Sequence, residues 1–168
     1  MPRQAEVEKI GLIARARAWH DEAPRALPAK GNTWGNMRNK PCLTEADILK
    51  AMAACRAEAD TNNWKVAIAI VDDGGYLLHF NRMEGVAPVS AEVAIGKART
   101  AAMTRRPSKF FEDRVKERPA FVNFPAGILI QGAVPVMVGN ECVGAIGVSG
   151  VASHEDEQIA KAGAAALA

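Results

Sequence analysis

Eight residues of strand character punctuated by glycine, Val143-Gly144-Ala145-Ile146-Gly147-Val148-Ser149-Gly150, lead directly into an acidic, alanine-rich segment that runs to Ala168. Small side chains at 144, 145, 147, 149 and 150 leave little bulk on the backbone, so another element must pack or bind very close to it. Ser153 suits a helix N-cap, and the acids at 155, 156 and 157 fall in the first turn, where the helix dipole favours negative charge. A strand that ends at a capped helix start, with something pressed against its glycines, constrains the rest of the chain.

The remaining elements follow from spacing and turn chemistry. Thr44 caps a helix that carries Glu45 and Asp47 in its first turn and runs to about Asn62, with Ile48, Met52 and Cys55 on one stripe. Trp64–Val71 and Tyr76–Asn81 read as strands joined by Asp72-Asp73-Gly74-Gly75, in which Asp tolerates turn geometry and Gly supplies positive φ. Ser90–Thr104 is a helix that Ser90 can cap, with Ile95, Ala98, Ala101 and Ala102 on its apolar face. After Pro107 a second short helix starts at Ser108 and ends near Glu117, and Pro119–Pro125 is a loop. Ile128–Gln131, Val134–Val138 and Cys142–Val148 complete the strands, with a Gly139-Asn140 turn, and the last helix covers roughly His154–Leu167. Short connections favour antiparallel pairing, so an α+β domain with a five-stranded antiparallel sheet flanked by helices is expected. Upstream, Val7, Ile10, Ile13 and Ala14 have helical spacing over residues 5–20, and the proline- and glycine-rich stretch from Pro24 to Pro41 reads as an extended arm. The chain thus divides into an N-terminal helix and arm, 1–42, and a domain, 43–168.

At 168 residues and 49% hydrophobic content the chain can bury a proper core. A net charge of +2, from 21 basic and 19 acidic residues, gives no case for nucleic acid or a membrane surface as partner. Cys42, Cys55 and Cys142 lack metal-type or secreted-framework spacing, which fits free thiols in the cytoplasm. No apolar run reaches signal-peptide or membrane-spanning length, so a soluble, unprocessed protein is expected.

Taken together, Val71-Asp72-Asp73-Gly74-Gly75, Arg82-Met83-Glu84-Gly85, Ala94-Ile95-Gly96-Lys97-Ala98-Arg99-Thr100-Ala101, Arg106-Pro107-Ser108, Pro125-Ala126-Gly127, Gly132-Ala133-Val134-Pro135-Val136 and Gly144–Gly150 with Asp156-Glu157 resemble the GlcG/HbpS-like family. This is also the family of the C-terminal domain of PduO-type proteins, and the match covers about residues 43–168. The resemblance implies a profilin-like or PAS-like sandwich that forms dimers and larger homo-oligomers. Some members resemble binders of haem or of cobalamin-type, corrinoid-related tetrapyrroles, and others sit among genes of catabolic pathways. In the haem-binding branch a hydroxyl residue after the loop proline resembles a haem contact, and Ser108 stands at that position. Other members resemble a histidine-ligated arrangement on the first core helix, yet Thr44–Asn62 contains no histidine.

The residues themselves offer three candidate constellations. Lys97 and Thr100 share a helix face, and with Arg82, Arg105, Arg106 and Ser108 they can form an anion site, because Arg holds a carboxylate through two parallel hydrogen bonds. The alternative is a solvated basic face or a subunit contact. Pro125 and Gly127 wall the same cleft. His154, Glu84 and Glu157 are proton-transfer candidates if the chain is a cofactor-independent lyase, isomerase or hydrolase acting on a small carboxylated or aromatic compound. The alternative for His154 is cap-region packing, and for His79 a satisfied surface position. Asp72 and Asp73 read first as turn residues and second as a carboxylate pair. Trp34, Met37, Arg38 and Cys42 give the arm anchor-like side chains that cross to a neighbouring subunit or cover the pocket. An oligomeric small-molecule-binding protein is the leading reading, and the catabolic enzyme is the alternative.

Overall fold

A computed structural model describes residues 38–168. The expected N-terminal helix, His20, Trp34 and Met37 lie outside the described residues. The first described helix, α1 (Glu45–Thr61), begins where the sequence places it: the Asp47 N–H donates to Thr44 Oγ1 while Asp47 Oδ2 accepts the Thr44 N–H at 2.9 Å. Ala51, Met52, Cys55 and Ala59 form its buried stripe. Strands β1 (Ala67–Asp72) and β2 (Leu77–Arg82) follow as a hairpin. Asp72 closes the turn, since its Oδ1 accepts the N–H groups of Gly74 and Tyr76 at 2.9 and 2.8 Å. Helices α2 (Val89–Thr104) and α3 (Ser108–Glu117), a 3-10 turn at Pro119–Asn123, strands β3 (Ala133–Val138) and β4 (Glu141–Ser149), and helix α4 (Ser153–Ala165) complete the domain.

Four strands, all antiparallel, make the sheet in the order β2-β1-β4-β3. The expected fifth strand at Ile128–Gln131 is absent from it. Here the chain's hydrogen bonds go to α2: the Ile128 N–H donates to Gly96 O at 3.2 Å, and Thr100 Oγ1 lies within reach of the Ala126 and Ile128 carbonyls. Ile128 fills the space beside Gly96, where a Cβ would lie 2.6 Å from its side chain. The Ile128 side chain therefore serves helix packing, and β3 becomes an edge strand, a setting that tolerates Pro135.

Two helix starts also differ from expectation. Ser90 lies inside α2, with Pro88 at the N-cap position. Ser153 is the first residue of α4, and acids from within the helix take over the cap: Glu155 accepts the Ala152 N–H and Asp156 Oδ1 accepts the Val151 N–H.

The two sheet faces carry different side chains. Ile68, Ile70, Ile146 and Val148 pack with α1 and α4, whereas Ala67, Ala69, Ala133 and Ala145 meet Ala94, Ala98, Ala101 and Ala102 of α2. Alanine against alanine lets α2 sit very close to the sheet. Gly147 is where the approach is tightest: a Cβ there would lie 2.3 Å from Ala94 O and 2.5 Å from Ala98 N. The glycine-punctuated strand is thus the seat of a helix, the packing demand that its small residues imply.

Two measurements check this arrangement. Gly147→Ala should destabilise the protein by about 2–3 kcal/mol through overpacking against helix backbone, lowering Tm by roughly 5–10 °C; an unchanged melting curve would show that α2 does not sit so close. The second concerns Glu112 of α3, whose Oε2 accepts the Gln131 N–H at 2.7 Å and anchors the chain segment that leads into β3. That hydrogen bond, followed by the Lys116 ammonium, holds the Glu112 carboxyl below its ordinary value of 4.5. Because the folded state depresses this pKa, the stabilisation is present above pH 4.5 and disappears as pH falls through the lowered folded value. The stability difference between the native protein and Glu112→Gln should therefore shrink on acidification from pH 7 to below 4.5, as followed by urea denaturation at each pH.

Candidate functional site

Of the residues expected to form an anion site, three turn inward. Lys97, mid-way along α2, is only 2% exposed, and its Nζ lies 2.8 Å from Asp156 Oδ2 and 3.1 Å from the Val148 carbonyl. Asp156 belongs to the first turn of α4, where the helix dipole favours an acid. Burial pushes its carboxyl above the ordinary range, opposed by the Lys97 ammonium and the Val151 N–H. The acid faces lysine and backbone rather than a cleft. Gly132 leaves room for the pair, since a Cβ there would stand 2.7 Å from Lys97 Nζ. Thr100 and Ser108 are fully buried. Thr100 Oγ1 has the carbonyls of Gly96, Ala126 and Ile128 within 3.1 Å, and Ser108 Oγ accepts the Ala133 N–H at 3.0 Å. Thr100 secures the segment that leads towards β3 and Ser108 the first residue of β3, so neither hydroxyl presents itself to a ligand from solvent.

The exposed cations are divided between the two ends of the sheet. Arg82 pairs with Ala67, level with Ser149, whereas Arg105 leaves α2 in the left-handed conformation and its charge acts on Asp73 and Cys142 at the other end. The length of β1 between those ends is about 15–20 Å. Asp73 forms an ion pair with Lys40, which holds its carboxyl below the usual range. The proton-transfer candidates do not share one environment either. Glu157 is buried against Gln131 Nε2 at 2.8 Å and Lys161 Nζ at 2.5 Å, His154 is exposed on the first turn of α4, and Glu84 is exposed in the turn after β2. His79 pairs with Ile70 and is half-buried. All three cysteines are free: Cys42 is exposed, and burial pushes the Cys55 thiol up to about 12 and raises that of Cys142.

Arg106 and Pro125 line one cleft and Pro125 and Gly127 its neighbour, both built with residues that the sequence reading did not single out. Helix α3 and the 3-10 turn gather four phenylalanines: Phe110 and Phe111 meet edge to face at 5.2 Å, Phe111 stacks on Phe124 at 5.1 Å, and Phe121 stacks on Phe124 at 6.0 Å. The Arg106 and Arg114 guanidinium groups lie over the Phe110 ring at 4.7 and 5.2 Å, and Arg118 lies over Phe121 at 5.9 Å. A cleft of about 320 Å³ opens between Met103, Arg106, Phe111, Phe124 and Pro125. A second, about 350 Å³, lies beside it between Tyr76, Arg99, Met103, Pro125 and Gly127. A third, about 300 Å³, adjoins Phe124 on the Arg118 and Phe121 side. Four of the five phenylalanines of the chain fall between 110 and 124. That clustering is the sequence signal that could have located the cleft.

Chemically, the walls suit a flat apolar ring with acidic substituents. Aromatic faces and a thioether take the ring, and guanidinium groups take carboxylates in bidentate geometry. The donor set fits a haem on one further count, because Met and Tyr belong to the usual iron ligands and both Met103 and Tyr76 line these clefts.

A family model described as haem degrading protein, HbpS-like, matches residues 43–165. The protein GlcG of Escherichia coli (strain K12) is 45% identical over 114 residues, which are 67% of this chain and 85% of that protein. A double mutant of Streptomyces reticuli HbpS, known from its crystal structure, superposes with a TM-score of 0.74 at 32% identity, covering 86% of this chain and 99% of its own. A PduOC:heme complex, 24% identical with a TM-score of 0.69 over 75% of this chain and 95% of its own, shares the fold.

Lys97→Met tests the inward reading of the cation. It leaves Asp156 buried without its partner and should cost about 3–5 kcal/mol, read from urea denaturation, while Lys97→Met with Asp156→Leu should recover most of that loss. A single substitution costing under about 1 kcal/mol would show that the pair does not hold the fold together.

Proposed function

The chain belongs to the HbpS-like family, and from that membership and the arginine-rimmed aromatic cleft we propose that it is an oligomeric small-molecule-binding protein whose ligand is haem or a related tetrapyrrole. The observation that carries the reading is the stack of Phe111 on Phe124 beside Met103, with the Arg106 guanidinium held over Phe110. A tetrapyrrole placed against Phe124, Pro125 and Met103 buries its apolar face, and Arg106 takes an acidic side arm through its in-plane N–H groups. Met103 or Tyr76 would hold the iron. Bound haem supplies a redox-active iron; the chain's own part is to orient the ring and shield one face of it from water. Of the residues expected from the sequence, Arg106, Pro125 and Gly127 belong to this binding role, whereas Lys97, Thr100 and Ser108 support it from within.

Self-association is part of the proposal. The outer strands leave Leu77 48% and Val138 51% exposed, which is costly in an isolated subunit and is relieved when a second copy covers the sheet edges. A cytoplasmic setting fits the free thiols. Among the described residues no helix is long and apolar enough to cross a membrane.

Titration of the purified apo-protein with hemin should give a saturable Soret shift. Arg106→Ala and Phe124→Ala should each weaken binding by about tenfold or more, the loss of one charge-assisted contact or one stacking face. Diffuse, non-saturating binding that is unchanged in both variants would overturn the assignment of this cleft.

A further inference from the structure

Arg99 and Met103 stand at i and i+4 on α2, on the side of the helix turned away from the sheet, and Arg106 follows just past the left-handed cap at Arg105. Met103, Pro125 and Ala126 line both the Arg106 cleft and the Arg99 cleft, so the two are halves of one trough with Met103 on the ridge between them. Resting on the reading above, we infer that this trough selects a planar ligand with two carboxylates, one held at Arg99 and the other at Arg106.

Each arginine is fixed in a way that leaves carboxylate-binding edges open. Arg99 donates through Nε to the Gly75 carbonyl at 3.3 Å, which places its guanidinium at the Tyr76 end of the trough. Its terminal nitrogens make no hydrogen bond with the described residues. Arg106 lies over the Phe110 ring, a contact that occupies the guanidinium face and leaves the N–H groups around its rim for in-plane acceptors. Arg99 and Arg106 flank Met103 at the two ends of the trough, with the last turn of α2 and its left-handed cap between them, a span that a ring bearing acidic arms can bridge. Between them lie a thioether and a proline, neither of which can donate a hydrogen bond to a substituent in the middle. Two fixed cations at the ends and an apolar ridge between them discriminate by charge count: a dicarboxylate porphyrin satisfies both, whereas an amide-decorated corrinoid or an esterified porphyrin leaves both unmatched.

The test is binding of hemin, protoporphyrin IX, protoporphyrin IX dimethyl ester and cyanocobalamin to the native chain, Arg99→Gln, Arg106→Gln and the double variant. Absorbance and quenching of porphyrin fluorescence are the readouts, with circular dichroism as the check on folding. Both free diacids should bind the native chain, with the iron-free porphyrin showing that the anchors act independently of axial ligation. Each single variant should lose about tenfold in affinity, and the double variant should bind the diacid no better than the native chain binds the ester. Equal binding of ester and diacid, tighter binding of cyanocobalamin than of either, or an Arg99→Gln variant that binds hemin like the native chain would overturn the two-anchor inference while leaving a tetrapyrrole site in place. Failure of the native chain to bind hemin or protoporphyrin saturably would overturn the underlying reading as well.

Discussion

The buried pair between Lys97 and Asp156 ties together parts of the molecule that have no other reason to meet. Helices α2 and α4 pack on opposite faces of the sheet, and Lys97 reaches past β4 to the first turn of α4 while also donating to the Val148 carbonyl. Removing two charges from water is expensive, and only close geometry with further hydrogen bonds offsets it. Here the second carboxylate oxygen takes the Val151 N–H, and the absence of a side chain at Gly132 admits the ammonium. The next residue on each side extends the clasp, with Gln131 linked to Glu112 of α3 and to Glu157 of α4. The segment that delivers β3 to the sheet is therefore held from three helices.

The second constraint is the unequal thickness of the two sheet faces. Isoleucine and valine fill the space under α1 and α4, while alanines and Gly147 bring α2 almost onto the strands. A helix seated so low uses its inner face entirely for packing. Its outward residues Arg99 and Met103, with Arg106 just past the helix end, are then free to form a wall, and the segment from Pro125 to Ile128 lies against α2 through Thr100 and Gly96. The cleft is a by-product of this seating: α3 and the 3-10 turn must fold back over the end of α2, and their phenylalanines meet there.

Local chemistry was legible where it depends on neighbours in sequence. The Thr44 cap, the Asp72 turn, the bounds of α1 and α3, and the demand that something press on the glycines of β4 all appear in the structure. Legibility failed where two partners competed for the same groups. Ile128–Gln131 has the composition of a strand, but Thr100 and Gly96 offered its backbone a nearer set of partners. Ser153 has the chemistry of a cap, yet Glu155 and Asp156, already in place on the helix, take the backbone N–H groups just upstream. Lys97, Thr100 and Ser108 looked like ligand groups because a polar side chain reads the same in sequence whether it faces solvent or a buried partner.

Sequence alone fixes the helices and four strands of the described domain, their antiparallel association and the family to which the chain belongs, because helix caps, turn residues and apolar periodicity act over a few residues. The tertiary structure alone decided which polar groups remain available to a ligand. Asp156 lies 59 residues from Lys97 and claims it, while Phe124 lies 21 residues beyond Met103 and joins it at the cleft. No local rule contains those separations. They arise when the sheet closes and long-range desolvation selects, among several chemically acceptable partners, the one that leaves no buried charge unmatched.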